Sequence, residues 1–353
     1  MSRRVIIDLF CLGIFALMPL LAGMLEEPFL VSLFTRLAIY GLAAASLDLL
    51  IGYGAMVSFG HAAFFGLGGY IVGIIAFHTS QFMPLWGWEG SNSALVVWPL
   101  SLGVCALFGL LVGYLSLRTS GVQFIMITLA FGQMLYYLLG SLSLYGGDDG
   151  ILMMERNQLP LLDLDNPVQF YYLTVALLVA WLLFCRRLVG SRFGFVLRGL
   201  KQSERRSVAM GLKPLRYRLT AFVIAGLGAG LAGILWANYA MFVSPDMGSW
   251  HKSGELMAMV ILGGVGTLLG PVLGAAVYLG LEQILSLWTE HWMVIFGPLL
   301  LAVVLFGKRG IYGLLLTERR RQPGPEKPAS PRADARPRPE KPIDLNNPGE
   351  VTP

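Results

Sequence analysis

The sequence predicts an all-α polytopic membrane protein. Hydrophobic residues make up 56% of its 353 residues and charged residues only 13%, whereas a soluble domain has about 25% charged residues. Apolar windows of bilayer length recur along the chain, and a strongly basic segment, 186–218, lies between two of them. These observations indicate membrane helices joined by loops that differ in charge.

Eight apolar windows are long enough to cross a hydrocarbon core about 30 Å thick. They lie at 5–24, 30–50, 56–77, 95–117, 121–140, 169–185, 219–240 and 292–307. The apolar region 256–288 is too long for one ordinary span, so we predict two short helices that meet near Leu269-Gly270-Pro271. The predicted fold therefore has about ten membrane helices: eight full spans plus a broken or re-entrant pair near 256–288.

The charge distribution predicts the orientation. Segment 186–218 carries ten Arg and Lys residues against one acid, Glu204, and Arg3 and Arg4 precede the first window. Short loops rich in Lys and Arg stay in the cytoplasm, so both termini are predicted to be cytoplasmic. The first window could also be a signal peptide, but its length and the absence of a clear cleavage site favour an uncleaved span.

Two domains are predicted. Residues 1–316 form the transmembrane domain, and nine of the 19 prolines lie beyond it, which predicts a disordered cytoplasmic tail over 317–353. The positive charge lies beside apolar spans, which indicates contact with membrane lipids and no nucleic-acid partner.

The basic segment contains a predicted amphipathic helix. Phe193, Val196, Leu197 and Leu200 recur at i, i+3, i+4 and i+7. Two interpretations remain open at this point: a solvated loop that only sets the topology, or a surface helix that docks on a cytoplasmic partner.

Glycine-rich breaks interrupt two apolar regions, LIGYGAMVSFGH at 50–61 and LGGVGTLLGPVLG at 262–274. Broken backbone at membrane depth needs protein or a water-filled cavity around it, and paired breaks point to a translocation pathway. The candidate pathway residues are Ser58, Gly60, His61, Phe65, Thr128, Gln133, Gly264 and Gly266. For His61, a neutral ring bonded to a backbone carbonyl is favoured over a pathway role. Arg36 and Asp48 are expected either to find interior partners or to snorkel.

Enzymatic chemistry is not predicted. Gly228, Gly230 and Gly233 match GxGxxG, but they lie inside a membrane span and follow no strand. The sequence has no GxxxxGK[ST] motif, its cysteines and histidines are dispersed, and no nucleophile–base pattern occurs. The chain is therefore expected to have no catalytic site, metal or cofactor of its own.

Five passages occur in an order typical of one family. They are LDLLIGYGAMVSFGHAAFFGLGGY (47–70), TLAFGQM (128–134), GGDDGI (146–151), SRFGFVLRGLKQSERRSVAMGL (191–212) and GELMAMVILGGVGTLLGPVLGA (254–275). Over about 5–315 the chain resembles the LivM-type permease of branched-chain amino acid ABC importers. The resemblance implies a LivM/LivH-like ABC permease fold in a bacterial inner membrane. It also implies a LivH-like second permease subunit, two LivG/LivF-like cytoplasmic ATPases and a periplasmic substrate-binding protein.

The resemblance also implies roles for individual residues. Segment 191–212 is expected to be the coupling helix that docks on an ATPase, with Gly211 as its helix stop. The residues expected to contact the ATPase are Arg198, Lys201, Glu204, Arg205 and Arg206. The binding protein is expected to dock on outer loops 78–94, 141–168 and 241–255, with Asp148, Asp149 and Asp246 as candidates, although Asp148 and Asp149 could equally only shape their loop.

The expected function is ATP-driven import of branched-chain or other hydrophobic amino acids. Ala55 and Met56 replace the family's usual Gly-Gln, and Phe59 replaces its usual Leu. Urea and short-amide importers have similar permeases, so the substrate is left open. A passive small-solute channel would need no docking helix, and an ion-coupled transporter would normally have acidic residues in mid-span.

Overall fold

The computed structural model describes residues 13, 15, 17–19, 27–81, 84, 90–288, 291–306 and 310–315. Within them the chain is a helical bundle with one pair of two-residue strands. The helices are α1 (Pro28–Asp48), α2 (His61–Ser80), α3 (Ala94–Ser116), α4 (Val122–Gly140), α5 (Pro167–Gly190), α6 (Arg192–Gln202), α7 (Glu204–Ala209), α8 (Pro214–Ala240), α9 (Trp250–Gly263), α10 (Gly270–Ser286), α11 (Trp292–Phe306) and α12 (Gly310–Leu315). The strands are β1 (Ile151–Leu152) and β2 (Phe242–Val243).

Six of the described helices are long and apolar enough to cross a membrane. They are α2, α3, α4, α5, α8 and α1 with its following turn, Phe29–Tyr53. Each overlaps a window predicted from hydropathy, so a helix is confirmed in each of those six windows, although the window 56–77 becomes helical only at His61. The first window, 5–24, and the proline-rich tail, 317–353, lie almost entirely or entirely outside the described residues.

The predicted break in region 256–288 is confirmed. Helix α9 ends at Gly263 and α10 begins at Gly270, with Pro271 in its first turn. Proline is favoured there because its missing N–H would have no partner in the helix. These helices have 14 and 17 residues and α11 has 15, so each is shorter than a typical span of about 20 residues.

Small residues bring α2 and α8 into close contact. Gly68 lies against the backbone of Gly230, and Gly233 lies against the carbonyl of Phe65. Membrane helices pack through such small residues because lipid supplies little hydrophobic drive for association. Gly230 and Gly233, two of the three glycines of the GxGxxG match, thus serve helix packing at this interface, whereas Gly228 faces Trp181 of α5 and Ser46 of α1.

Helix α1 continues into a π-helical turn, Leu49–Tyr53, after which residues 55–60 are not helical. Ala55 has a positive φ of 53°, a conformation that costs an L-residue free energy. The predicted break at 50–61 is thus present, and it separates α1 from α2.

The two ends of the bundle differ in character. At one end, called here the basic end, α6 and α7 connect α5 to α8. At the opposite end β1 pairs with β2, Ile151 opposite Val243. Nearby, Asn157 and Asn238 exchange hydrogen bonds of 2.9 and 3.0 Å, which fix residues 151–157 to the end of α8.

Candidate functional site

Two short helices form the surface of the basic end. The amphipathic helix predicted within 191–212 is confirmed as α6, which buries Leu197 and Leu200. The chain then turns at Ser203, whose hydroxyl accepts a hydrogen bond from the backbone N–H of Arg206 and so caps α7. The segment is therefore an ordered helix–turn–helix, which favours a docking surface over a solvated loop.

Gly211 ends the second helix. It has a φ of +81°, its N–H donates to Val208 O, and the N–H of Leu212 donates to Ser207 O. This pair of bonds is the Schellman arrangement, in which glycine is preferred because it has no Cβ. The structure therefore has the helix stop that was predicted at Gly211.

The charged residues of this segment divide into two groups. Arg205 and Arg206 are exposed, and beside them Val208 and Met210 expose 51% and 65% of their surface. The others have internal partners: Arg198 donates to Val189 O at 3.1 Å, Glu204 pairs with Arg218 at 2.9 Å, and Lys201 Nζ donates to Gly52 O at 2.6 Å. The exposed face thus combines cations with apolar side chains.

The basic end also holds a junction between α1 and the break after α9. The carboxylate of Asp48 accepts a hydrogen bond from the Gly266 N–H at 2.7 Å, and the Tyr53 hydroxyl donates to Gly266 O at 3.0 Å. Because Lys201 binds Gly52 only a turn from Asp48, α6 contacts the same end of α1. Asp48 therefore has an interior partner, one of the two outcomes expected for it.

The predicted pathway residues are mostly inside the packed bundle. Ser58, His61, Phe65 and Thr128 are at most 1% exposed, and Gly60 lies against the carbonyl of Thr128. His61 Nε2 is hydrogen-bonded to the hydroxyl of Ser46 at 2.9 Å rather than to a carbonyl.

The remaining members of that set are not gathered around His61. Phe65 stacks on Tyr40, Gln133 is half-buried on α4, and Gly264 and Gly266 lie in the break near Asp48. The structure thus brings together Ser58, Gly60, His61 and Thr128. A cavity of about 130 Å³, bordered by Met56, Phe124 and Arg218, lies beside these four residues. The pathway role of these residues stays a prediction.

The predicted docking aspartates lie in two different settings. Asp148 and Asp149 are exposed on a 3-10 turn, Gly147–Asp149. Asp246 is exposed between the buried Pro245 and Met247. The turn Pro245–Gly248 packs against Gly66 of α2, so part of the expected outer loop 241–255 is folded into the bundle and continues into α9.

Besides Glu204–Arg218, two further ion pairs among the described residues were not predicted. Arg36 of α1 pairs with Glu282 of α10 at 2.9 Å, and Lys252 pairs with Glu255 on α9 at 2.8 Å. Arg36 was expected either to have a partner or to snorkel, and the structure shows the partner. The sequence contained one signal for a partner: Arg36 and Glu282 are each a single charge within an apolar helix, with no acidic or basic neighbour in sequence.

Comparison with known proteins decides the family. A family model described as branched-chain amino acid transport system, permease component, matches residues 29–304. This chain belongs to that family. The predicted resemblance to LivM-type permeases is confirmed, and the chain is a multi-pass membrane permease component.

Curated relatives of this permease include two LivM proteins. The high-affinity branched-chain amino acid permease LivM of Salmonella typhimurium is 28% identical over 324 residues, covering 84% of this chain and 74% of that protein. LivM of Escherichia coli is 26% identical over the same length and coverage. The autoinducer 2 import permease LsrC of Salmonella paratyphi B is 30% identical over 157 residues, 41% of this chain and 42% of LsrC. No solved structure matches the permease.

Proposed function

We propose that this permease is the membrane subunit of an ATP-driven importer of branched-chain or other hydrophobic amino acids. It works with a LivH-like second permease subunit, two LivG/LivF-like cytoplasmic ATPases and a periplasmic substrate-binding protein. The chain itself is non-catalytic, and ATP hydrolysis belongs to the partner ATPases. Membership of the family and the names of the LivM relatives support this assignment.

One observation carries the ATP-driven part of the proposal. The α6–α7 segment is an ordered helix–turn–helix whose exposed face has Arg205 and Arg206 beside the apolar Val208 and Met210. A face that mixes cations with exposed apolar side chains is suited to a protein partner, because the apolar side chains are stabilised when a partner covers them. We therefore assign this face to ATPase coupling.

The proposed topology follows from the same segment. Its Lys and Arg residues support a cytoplasmic location for the basic end, and the proposed membrane is the bacterial inner membrane. The proposed transmembrane domain, 1–316, then has about ten membrane elements: one over 5–24, the six long helices, α9, α10 and α11. Both termini are cytoplasmic in this arrangement, and the exposed aspartates Asp148, Asp149 and Asp246 belong to the periplasmic side, where the binding protein docks.

Co-purification from the native membrane tests the coupling face. The tagged permease is compared with an Arg205→Glu/Arg206→Glu variant. The matched control is Arg186→Glu/Arg187→Glu, which makes the same charge change at the exposed end of α5, before the two helices begin. We expect an ATPase pair to co-purify with the wild type and the control, and to be lost from the α7 variant.

The outcomes separate the functional classes. If no ATPase co-purifies with the wild type under any mild detergent condition, the importer proposal fails and a passive channel becomes the better interpretation. If both charge variants lose the ATPases equally, the loss comes from total loop charge and the assignment to α7 is wrong.

A further inference from the structure

The two ion pairs lie together around one aromatic ring. The Arg36 guanidinium is 5.9 Å and the Lys252 amine 5.4 Å from the centroid of Tyr40. Glu282 is bound to Arg36, and Glu255 is bound to Lys252. Helices α1, α9 and α10 therefore contribute two cations and two carboxylates to a single group, called here the ion-pair cluster.

The cluster lies at membrane depth. Arg36 is seven residues into the span that begins at Phe29, about 10 Å along the helix at 1.5 Å per residue, and Tyr40 is about 16 Å along it. Glu282 is twelve residues beyond Gly270 on α10, about 18 Å from its start. A hydrocarbon core about 30 Å thick therefore encloses these groups.

The charged side chains are not fully covered by the chain. Between 20% and 29% of the surface of each of the four side chains is exposed. Lipid tails cannot solvate a charge, so charged residues at this depth face other protein or a water-filled pathway. Helices α2, α3, α4 and α11 contain no Asp, Glu, Lys or Arg, which sets the α1–α9–α10 face apart from them.

The cluster is chemically suited to one class of solute. It has no net charge, and it presents cations and carboxylates side by side. An α-amino acid near neutral pH is a zwitterion, whose carboxylate matches Arg36 or Lys252 and whose ammonium matches Glu282 or Glu255. Such a ligand exchanges one ion pair for two others, so it adds no net charge at membrane depth and leaves no buried charge without a partner.

We propose that the ion-pair cluster of Arg36, Glu282, Lys252 and Glu255 forms this subunit's wall of the solute pathway and transiently binds the ammonium and carboxylate groups of zwitterionic amino acids. The inference rests on the proposed import function and deepens it. It locates the pathway on the partly open face of α1, α9 and α10 rather than among the buried residues around His61.

Uptake by the complete transporter provides the first test. The co-purified complex is reconstituted in vesicles of phosphatidylethanolamine and phosphatidylglycerol and supplied with the substrate-binding protein, with radiolabelled leucine as the probe. In the Arg36→Met/Glu282→Met variant both charges are replaced by apolar side chains of similar length, so neither remains unpaired and folding is spared. We expect ATP-dependent uptake to fall by roughly tenfold or more while the complex stays assembled, because the paired charges that replace the solute's hydration are gone.

Thiol labelling provides a second test that does not depend on uptake. Cys11, Cys105 and Cys185 are replaced by alanine, and Lys252→Met/Glu255→Cys places a thiol in the cluster. Leu107→Cys, on the exposed apolar face of α3, is the control. A water-soluble cationic methanethiosulfonate is expected to modify position 255 roughly tenfold faster than position 107, because only the former is expected to face water, and leucine is expected to slow the modification.

The results distinguish the inference from the function on which it rests. If the wild-type complex shows no ATP-dependent uptake of leucine or of any other hydrophobic amino acid, the proposed function fails. If the wild type transports but the Arg36→Met/Glu282→Met variant transports equally well, and position 255 is unreactive with and without ATP, the inference is overturned. The cluster would then be covered by a neighbouring subunit.

Discussion

Replacing Gly233 by alanine tests the close packing of α2 against α8. A Cβ at this position would lie 1.9 Å from the carbonyl oxygen of Phe65 and 3.1 Å from the backbone nitrogen of Gly69. A carbon and a carbonyl oxygen normally approach to about 3.3 Å, so the two helices must separate by about 1.4 Å. Both groups that the Cβ meets are backbone, so no side chain can rotate away.

The expected cost follows from that displacement. Overpacking a well-packed interior typically costs about 1–3 kcal/mol and occasionally more. In addition, a gap of about 0.5–1 Å between the two helices removes roughly a quarter to a half of the dispersion energy of each contact. We therefore expect Gly233→Ala to lower the free energy of unfolding by about 3 kcal/mol, the upper part of that range.

Gly103→Ala is the matched control. Gly103 is also in a helix interior, but a Cβ there would meet nothing within 4 Å, so the substitution is expected to stabilise the helix by about 0.5–1 kcal/mol. Thermal unfolding in detergent is followed with a thiol-reactive dye, because Cys105 and Cys185 are free and buried, in a Cys11→Ala background. Equal melting temperatures for the two variants would refute the packing argument.

Three further substitutions test the basic end. Asp48→Ala is expected to destabilise the protein by about 1–3 kcal/mol, because the Gly266 N–H loses its acceptor. Asp48→Asn, which keeps an oxygen acceptor, should melt at a higher temperature than Asp48→Ala, and the reverse order would contradict the assignment. Ala55→Gly is expected to raise the melting temperature, since it relieves about 1–2 kcal/mol of left-handed backbone strain; a lower one would show that residue 55 does not hold that conformation. Lys201→Met removes the bond to Gly52, so we expect ATP hydrolysis by the assembled complex to continue while leucine uptake falls. Unchanged uptake would show that this bond does not transmit movement.

The features that local sequence determines were predictable. Six spans follow from runs of apolar residues, and the spacing of Leu197 and Leu200 gives the buried face of α6. The break before Pro271 follows from the missing N–H of proline and the glycines around it. Each of these outcomes depends on neighbours within a few residues, so the sequence alone was sufficient.

The ion-pair cluster could not be predicted in the same way. Arg36 and Glu282 each stand alone in an apolar helix, which indicates that each needs a partner, but 246 residues separate them and nothing local shows that they pair with each other. Lys252 and Glu255 were expected in a loop because hydropathy shows charge but not depth. What decides their position is that Pro245–Gly248 packs against glycines of α2, which carries the start of α9 into the bundle.

Helix α1 connects the coupling face to the ion-pair cluster. At the basic end of the bundle, Asp48 of α1 binds the break before α10, and Gly52 in the turn that follows α1 binds α6. About 18 Å along α1, Arg36 binds Glu282 near the far end of α10. Because α1 binds both Glu282 of α10 and the break before α10, we expect the two helices to move together. Residues 55–60 follow α1 without helical structure, so a displacement of α6 can tilt this pair relative to α2. The same tilt would move Arg36 and Glu282 relative to Lys252, which is the change needed to bind and release a solute between the pairs.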